Sequence, residues 1–235
     1  MSQDAQVALV TGVGPGTGRA IAERYAAEGF QVAMLARNAE RLAELEAATA
    51  GARAYVCDVT DTEALQATVA AVEADLGVPD VLVHNAVGGA FGDALSVDPA
   101  LFERNFQINA MALLHLVQMV GPQMVARGSG AILCTGNTSA YRGKAGFAAF
   151  APTKAAQRIL AESMARYLGP KGVHVAYVAI DAVIDLEWTR KRWSEEPDEF
   201  FCKPADIAGE VFRLSQQPRS AWSFESVIRP FGENW

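Results

Sequence analysis

Histidine and cysteine are scarce in this chain, with three of each among 235 residues. Cys57, Cys134 and Cys202 are odd in number and far apart, which excludes a disulfide framework and offers no clustered spacing for zinc. Cys57 and Cys134 fall in apolar, strand-like runs, where a small buried thiol is the default. No metal centre is expected, and a reducing, cytoplasmic compartment fits. Positive charge is also in deficit: 20 Lys and Arg face 27 Asp and Glu, for a net charge of −7 and a pI near 5.0. That balance argues against a nucleic-acid or anionic-membrane surface. It leaves an anionic cofactor open, because such sites work through local backbone dipoles. The opening MSQDAQ leads into a strand pattern without a basic-then-apolar leader, and no apolar run reads as long enough to span a bilayer. Long linkers, low-complexity segments and clear repeats are missing too. What remains is ordinary globular composition, 51% hydrophobic and 20% charged, in a length that suits one large α/β domain.

Short β-type runs alternate with helical patterns. Strands are expected at Gln6–Thr11, Gln31–Leu35, Arg53–Cys57, Asp80–His84, Ala131–Thr135, His174–Ala179 and Phe224–Ile228. Helices are expected at Gly16–Gly29, Ala39–Thr49, Asp61–Leu76, roughly Pro99–Val125, Ala148–Leu168 and Pro204–Ser215. Leu65, Val69, Val72 and Leu76 recur at helical spacing. Several strands (VALV, DVLVH, AILCT, VHVAYVAI) are almost wholly apolar, as strands covered on both faces must be. The alternation therefore predicts a Rossmann-type, doubly wound parallel sheet of about seven strands with helices on both faces. Ligands sit at the carboxyl ends of strands in such folds, which directs attention to the loops after the first, fourth, fifth and sixth strands.

After the first strand stands Thr11-Gly12-Val13-Gly14-Pro15-Gly16-Thr17-Gly18. Its glycines permit a tight turn and close approach of backbone to a phosphate, and the following helix presents its N–H groups and positive dipole end. A pyrophosphate is the natural guest.

This T-G-x-x-x-G-x-G turn resembles that of the short-chain dehydrogenase/reductase family, and further positions fall in register with it. Cys57-Asp58-Val59 ends the third strand, where the resemblance implies contact with adenine. Asn85-Ala86-Val87 follows the fourth strand like the family's N-N-A-G, with His84 and Val87 in place of its first Asn and its Gly. Asn109 lies in the long helix where the family keeps a structural and catalytic Asn. Phe150-Ala-Pro-Thr-Lys154 occupies the Y-x-x-x-K motif. The family's tyrosine hydroxyl exchanges the substrate proton, its lysine lowers that tyrosine's pKa and binds the nicotinamide ribose, and a serine thirteen residues earlier holds the substrate oxygen. Here Lys154 and Asn109 match, Phe150 replaces the tyrosine, and Asn137 stands at the serine. A phenyl ring has no exchangeable proton and cannot serve as general acid or base. Tyr141, Thr138, Ser139, His84 or a bound water are the alternative donors, and the Asn137 amide can anchor a carbonyl oxygen. Asp181-Ala182 replaces the family's usual Pro-Gly.

The second strand ends Ala36-Arg37, without the acidic residue that NAD-preferring members carry there, so NADP(H) is favoured over NAD(H), with Arg37 facing the 2′-phosphate. Against this, the glycine-rich turn lacks a second basic residue. Ile184 is expected on the cofactor side. In the loop region of about 181–203, Trp188 and Trp193 form either an apolar wall or an anchor, and Trp188, Phe150 and Asn137 are expected at the substrate. The resemblance implies a small-molecule substrate and a homodimer or homotetramer. The Arg229–Trp235 tail docks on either a neighbouring subunit or its own domain. The leading reading is hydride transfer to or from a small carbonyl or alcohol. A cofactor-binding regulator or inactive subunit is the alternative, and a lyase or dehalogenase on the same fold is a more distant one.

Overall fold

Seven strands pair in the order β3-β2-β1-β4-β5-β6-β9, and every neighbouring pair is parallel. This is a computed structural model, and it describes residues 5–232. The strands are β1 (Val7–Thr11), β2 (Gln31–Ala36), β3 (Ala52–Val56), β4 (Val81–His84), β5 (Gly130–Asn137), β6 (Val173–Ile180) and β9 (Glu225–Ile228). A separate two-stranded pair joins β7 (Val183–Ile184) to β8 (Phe201–Cys202). Every residue of β1, β4 and β6 is buried, which is why their sequences carry no polar alternation. Alternate side chains divide between two cores. One face packs on α3 (Thr62–Asp75), α5 (Ala112–Arg127) and α6 (Ala151–Leu168), through residues such as Leu65, Leu116 and Met164. The other packs on α1 (Thr17–Ala27), α2 (Ala39–Ala48) and α8 (Pro204–Ser215), through Ile21, Leu42 and Val211. Strand order reverses between β1 and β4, and the pairing of Thr11 with His84, and of His84 with Cys134, brings the strand ends level there. That reversal is where a doubly wound sheet opens a ligand crevice.

The long helical stretch is not one regular helix. α4 (Pro99–Phe106) runs through a π turn at Gln107–Met111 into α5, with the Ala112 N–H bonding back to the Gln107 carbonyl. His84 explains the wider turn. The Ile108 carbonyl can only accept, so His84 Nε2–H donates to it (3.0 Å) and the neutral ring's Nδ1 accepts from the Thr11 hydroxyl (3.1 Å), whose oxygen also accepts from the Ala86 N–H (3.3 Å). A carbonyl held from outside leaves the helical ladder free to widen. By length and composition the 29-residue stretch Pro99–Arg127 passes as a membrane-spanning helix, which corrects the sequence reading that no run is long enough. Here 56% of its most apolar window is buried inside the protein. α6 begins at Ala151, not Ala148, because Phe150 is its N-cap residue.

Residues 181–203 form a folded unit. β7 and β8 pair, and α7 (Glu187–Arg192) lies between them. Arg190 grips Asp185 with two bonds of 2.7 Å, reaches Asp198 at 2.8 Å and stacks 4.0 Å from the Phe201 ring. Trp235, on which the docking tail depends, lies outside the described residues.

Candidate active site

A cleft of about 860 Å³ opens over the carboxyl ends of β1, β2, β4, β5 and β6. Gly12–Gly18 form its floor beside the N-terminus of α1. Gly12 adopts φ +70°, and a Cβ there would lie 2.5 Å from the Ala86 backbone. A Cβ on Gly18 would strike the Gly12 carbonyl, while one on Gly14 would meet nothing within 4 Å. The turn is thus packed tightly underneath and open above. Two further observations fit a phosphate-bearing cofactor. No side chain caps α1 at Gly16, and Thr17 Oγ1 is buried without a partner among the described residues.

Asn85 serves as a brace: its Nδ2 donates to the Gly12 carbonyl (2.9 Å), and its Oδ1 accepts from Thr135 Oγ1 (2.9 Å). Asp58 accepts from the Thr60 amide and hydroxyl and from Arg104 at 3.1 Å, with Arg37 at 3.9 Å. Burial pushes its carboxyl up, but the Thr60 bonds and the two guanidinium groups outweigh burial and hold it below the usual range. Pro15, Val59, Ala86, Val87, Ile184 and Trp188 all line the cleft. So do Asn38 and Arg41, which the sequence reading passed over. Asn38 caps α2 by accepting from the Arg41 N–H (2.8 Å), and Arg41 lines the cleft together with Arg37. The signal was available: an Asn before a helical run marks its start, and the residue three further on sits in the first turn.

At the other end lie Thr135, Gly136, Asn137, Ile180, Ala182 and Lys154. Asn137 Oδ1 accepts from the Ser139 N–H (3.1 Å), which leaves its NH₂ group as a donor. Lys154 Nζ donates to Gln157 Oε1 (2.7 Å) and to the Thr135 carbonyl (3.3 Å). It is 2% exposed, and burial pushes its pKa down to about 8.

Three expected residues are placed differently. Tyr141 is not brought to the cleft. Its hydroxyl donates to Glu225 (2.6 Å) on the far edge strand, Arg158 sits 5.2 Å from its ring, and burial together with Glu225 raises its pKa. Asn109 does not reach the cleft either. Its Oδ1 accepts from the Gly88 amide, and its Nδ2 donates to the Gly88 carbonyl and to Thr153 Oγ1. The side chain ties the loop after β4 to the start of α6. Phe150 is buried and packs against Phe91 and Phe147, with ring centroids 5.4 and 6.1 Å away. His84 is fully buried with both ring nitrogens engaged, and burial pushes its pKa down to about 4, so it stays neutral. Trp188 is 61% exposed and tilted against Trp193 at 6.5 Å.

Comparison with known proteins agrees with this geometry. The short chain dehydrogenase family model matches residues 6–196. The chain is 30% identical over 241 residues to 7alpha-hydroxysteroid dehydrogenase of Escherichia coli K12, covering 97% of this chain and 94% of that one. A metagenomic short-chain oxidoreductase solved in complex with NADP superposes with a TM-score of 0.83 at 30% identity, over 98% of this chain and 99% of that one. An NADPH-bound short-chain oxidoreductase from Pseudomonas aeruginosa PAO1, described as containing an atypical catalytic center, superposes at 0.88 with 26% identity, over 98% and 97%. The sheet order, the glycine turn at the strand-order reversal and these matches together make the chain a member of the short-chain dehydrogenase family of oxidoreductases.

Proposed function

We propose that this protein is an NADP(H)-dependent oxidoreductase acting on a small carbonyl or alcohol substrate. The observation that carries the cofactor preference is the pair Arg37 and Arg41 beside Ala36, at the end of the cleft away from Lys154. Two guanidinium groups without an acidic residue at the strand end suit a 2′-phosphate, which charge-assisted forked bonds recognise. The NADP- and NADPH-bound relatives support this reading. The nicotinamide, when bound, supplies or accepts the hydride. The chain's own residues would hold and orient: the glycine turn and Thr17 would meet the diphosphate, Asp58 and Val59 would border the adenine, and Asn137 offers an amide donor to a substrate oxygen. Ile180, Ala182 and Trp188 supply apolar walls. We also propose self-association through the outer face of α6, where Ile159 and Tyr167 stay exposed. Light scattering that returned a monomer would overturn that part.

The test is a titration with NADPH and with NADH, followed by quenching of tryptophan fluorescence. NADPH is expected to bind more tightly. Arg37→Ala and Arg41→Ala should each weaken it about tenfold or more, on the scale of a charge-assisted bond, and leave NADH unchanged. Equal affinities would refute the preference, and no binding of either nucleotide would refute the oxidoreductase reading.

A further inference from the structure

The cleft lacks an obvious acid. Among the described residues that line it, the side chains that titrate are Arg37, Arg41, Cys57, Asp58 and Lys154. The first four gather just past the ends of β2 and β3, Arg41 in the first turn of α2. Lys154 alone stands with Asn137 at the β5 end. Outside the cleft, the Tyr141 hydroxyl is engaged with Glu225, Thr138 with Asp181 and His84 with Thr11 and Ile108, Ser139 does not line the cleft, and Phe150 carries no proton.

Lys154 is held unusually for a buried ammonium. Its two partners, Gln157 Oε1 and the Thr135 carbonyl, are both neutral, and no carboxylate among the described residues pairs with it. Gln157 is fully buried, and its Nε2 has no partner among the described residues. A buried amide with an unfilled donor is costly, so Gln157 is not there to satisfy itself. It sits three residues after Lys154, on the same helix face, with its oxygen turned to the ammonium. The titratable groups facing Lys154 from the neighbouring elements are Cys134 on β5 and His84 on β4. Burial holds both neutral, the thiol pushed up to about 12 and the imidazole down to about 4. Nothing nearby fixes the lysine's charge permanently, and an ammonium desolvated to about 8 is an acid suited to neutral pH.

We propose that Lys154 is itself the proton donor in carbonyl reduction, and that Gln157 is the positioning residue that holds its ammonium group at the cleft in place of the missing hydroxyl at position 150. The inference rests on the oxidoreductase reading above. In the step, the carbonyl carbon gains hydride from the reduced nicotinamide, and the oxygen takes one proton from Lys154 Nζ. The lysine is left as a neutral amine, which regains a proton from solvent. Reversal would make the neutral amine the base for alcohol oxidation.

The test uses the full chain with NADPH and 1-phenyl-1,2-propanedione as probe ketone, alongside NADPH binding by fluorescence and NMR titration of the Lys154 side chain. Lys154→Arg keeps a cation that cannot give up its proton near neutrality, and kcat should fall at least about 100-fold more than NADPH affinity does. Gln157→Leu removes an acceptor that favours the charged form. The NMR midpoint of Lys154 and the alkaline limb of kcat should move together toward acid by about one pH unit. Lys154→Arg with kcat intact, or an alkaline limb that stays put while the NMR midpoint moves, would overturn the proposal. Absence of NADPH binding in the unsubstituted protein would instead overturn the oxidoreductase reading, and the binding arm shows which has failed.

Discussion

His84 makes the fold sensitive to acid in a way that one substitution should remove. The ring is fully buried and neutral, donating from Nε2 to the Ile108 carbonyl and accepting at Nδ1 from Thr11. Burial and the charge on Lys154 lower its pKa from 6.5 to about 4, the Ile108 bond opposing them only in part. Between those values the unfolded chain binds a proton that the folded chain refuses, so stability falls as pH drops through this window. From pH 7.5 to 4.5 this one group removes about 2.5 kcal/mol. His84→Asn deletes the titration and leaves one or both partners short of a bond, which costs about 1–3 kcal/mol at pH 7.5. Urea unfolding of both proteins at pH 7.5, 6.0, 5.0 and 4.5 cancels the acid effects they share. The variant's deficit should shrink steadily and approach zero or reverse at pH 4.5. A deficit independent of pH would refute the claim that His84 is held neutral by burial.

Lys154→Met should stabilise the fold at pH 7 by on the order of 1–2 kcal/mol, since removing a desolvated ammonium outweighs stranding its two acceptors. The lysine's depressed pKa of about 8 sets the window: the gain, read by denaturant unfolding, should fade between pH 8 and 10.5, where the folded lysine is already neutral. Tyr141→Phe should leave probe-ketone turnover unchanged and cost about 1 kcal/mol in thermal unfolding, the worth of its bond to Glu225. A large loss of kcat there would return Tyr141 to the site. Gly136→Ala would place a Cβ on the Tyr177 hydroxyl inside the sheet, so a loss of about 1–3 kcal/mol or more is expected by thermal unfolding.

The parts of this fold legible in sequence are those set by short-range pattern. All-apolar runs gave the buried strands, and the last strand at Phe224–Ile228 was found within one residue of its observed start at Glu225. The glycine turn was legible because backbone approach to a phosphate demands those residues in that order. What stayed hidden depends on partners distant in the chain. The π turn follows from a bond between residues 24 apart, and nothing in Gln107–Met111 announces it. Tyr141 looked like a donor because Glu225, 84 residues away, was not in view. Gln157 carries no signal of its own beyond a polar residue in a helix, though its offset of three from Lys154 places it on the same face.

The wide turn at Gln107–Met111 also sets a rule for insertions and deletions. It amounts to one surplus residue in an otherwise regular rod, and each residue of an α-helix advances the chain by about a third of a revolution. Removing one residue there would straighten the rod and swing everything before it around the axis. Asn105, which reaches the Ala149 carbonyl at 2.9 Å, would lose its hold while the residues of α5 kept theirs. The exposed loop at 142–146 is tied at its end, where the Gly146 carbonyl accepts from the Gly92 N–H (2.8 Å), and before that point it carries no such phase and should accept an added residue readily. Length is therefore a fixed quantity in one place and a free one in the other, and the boundary between them is drawn by a histidine ring.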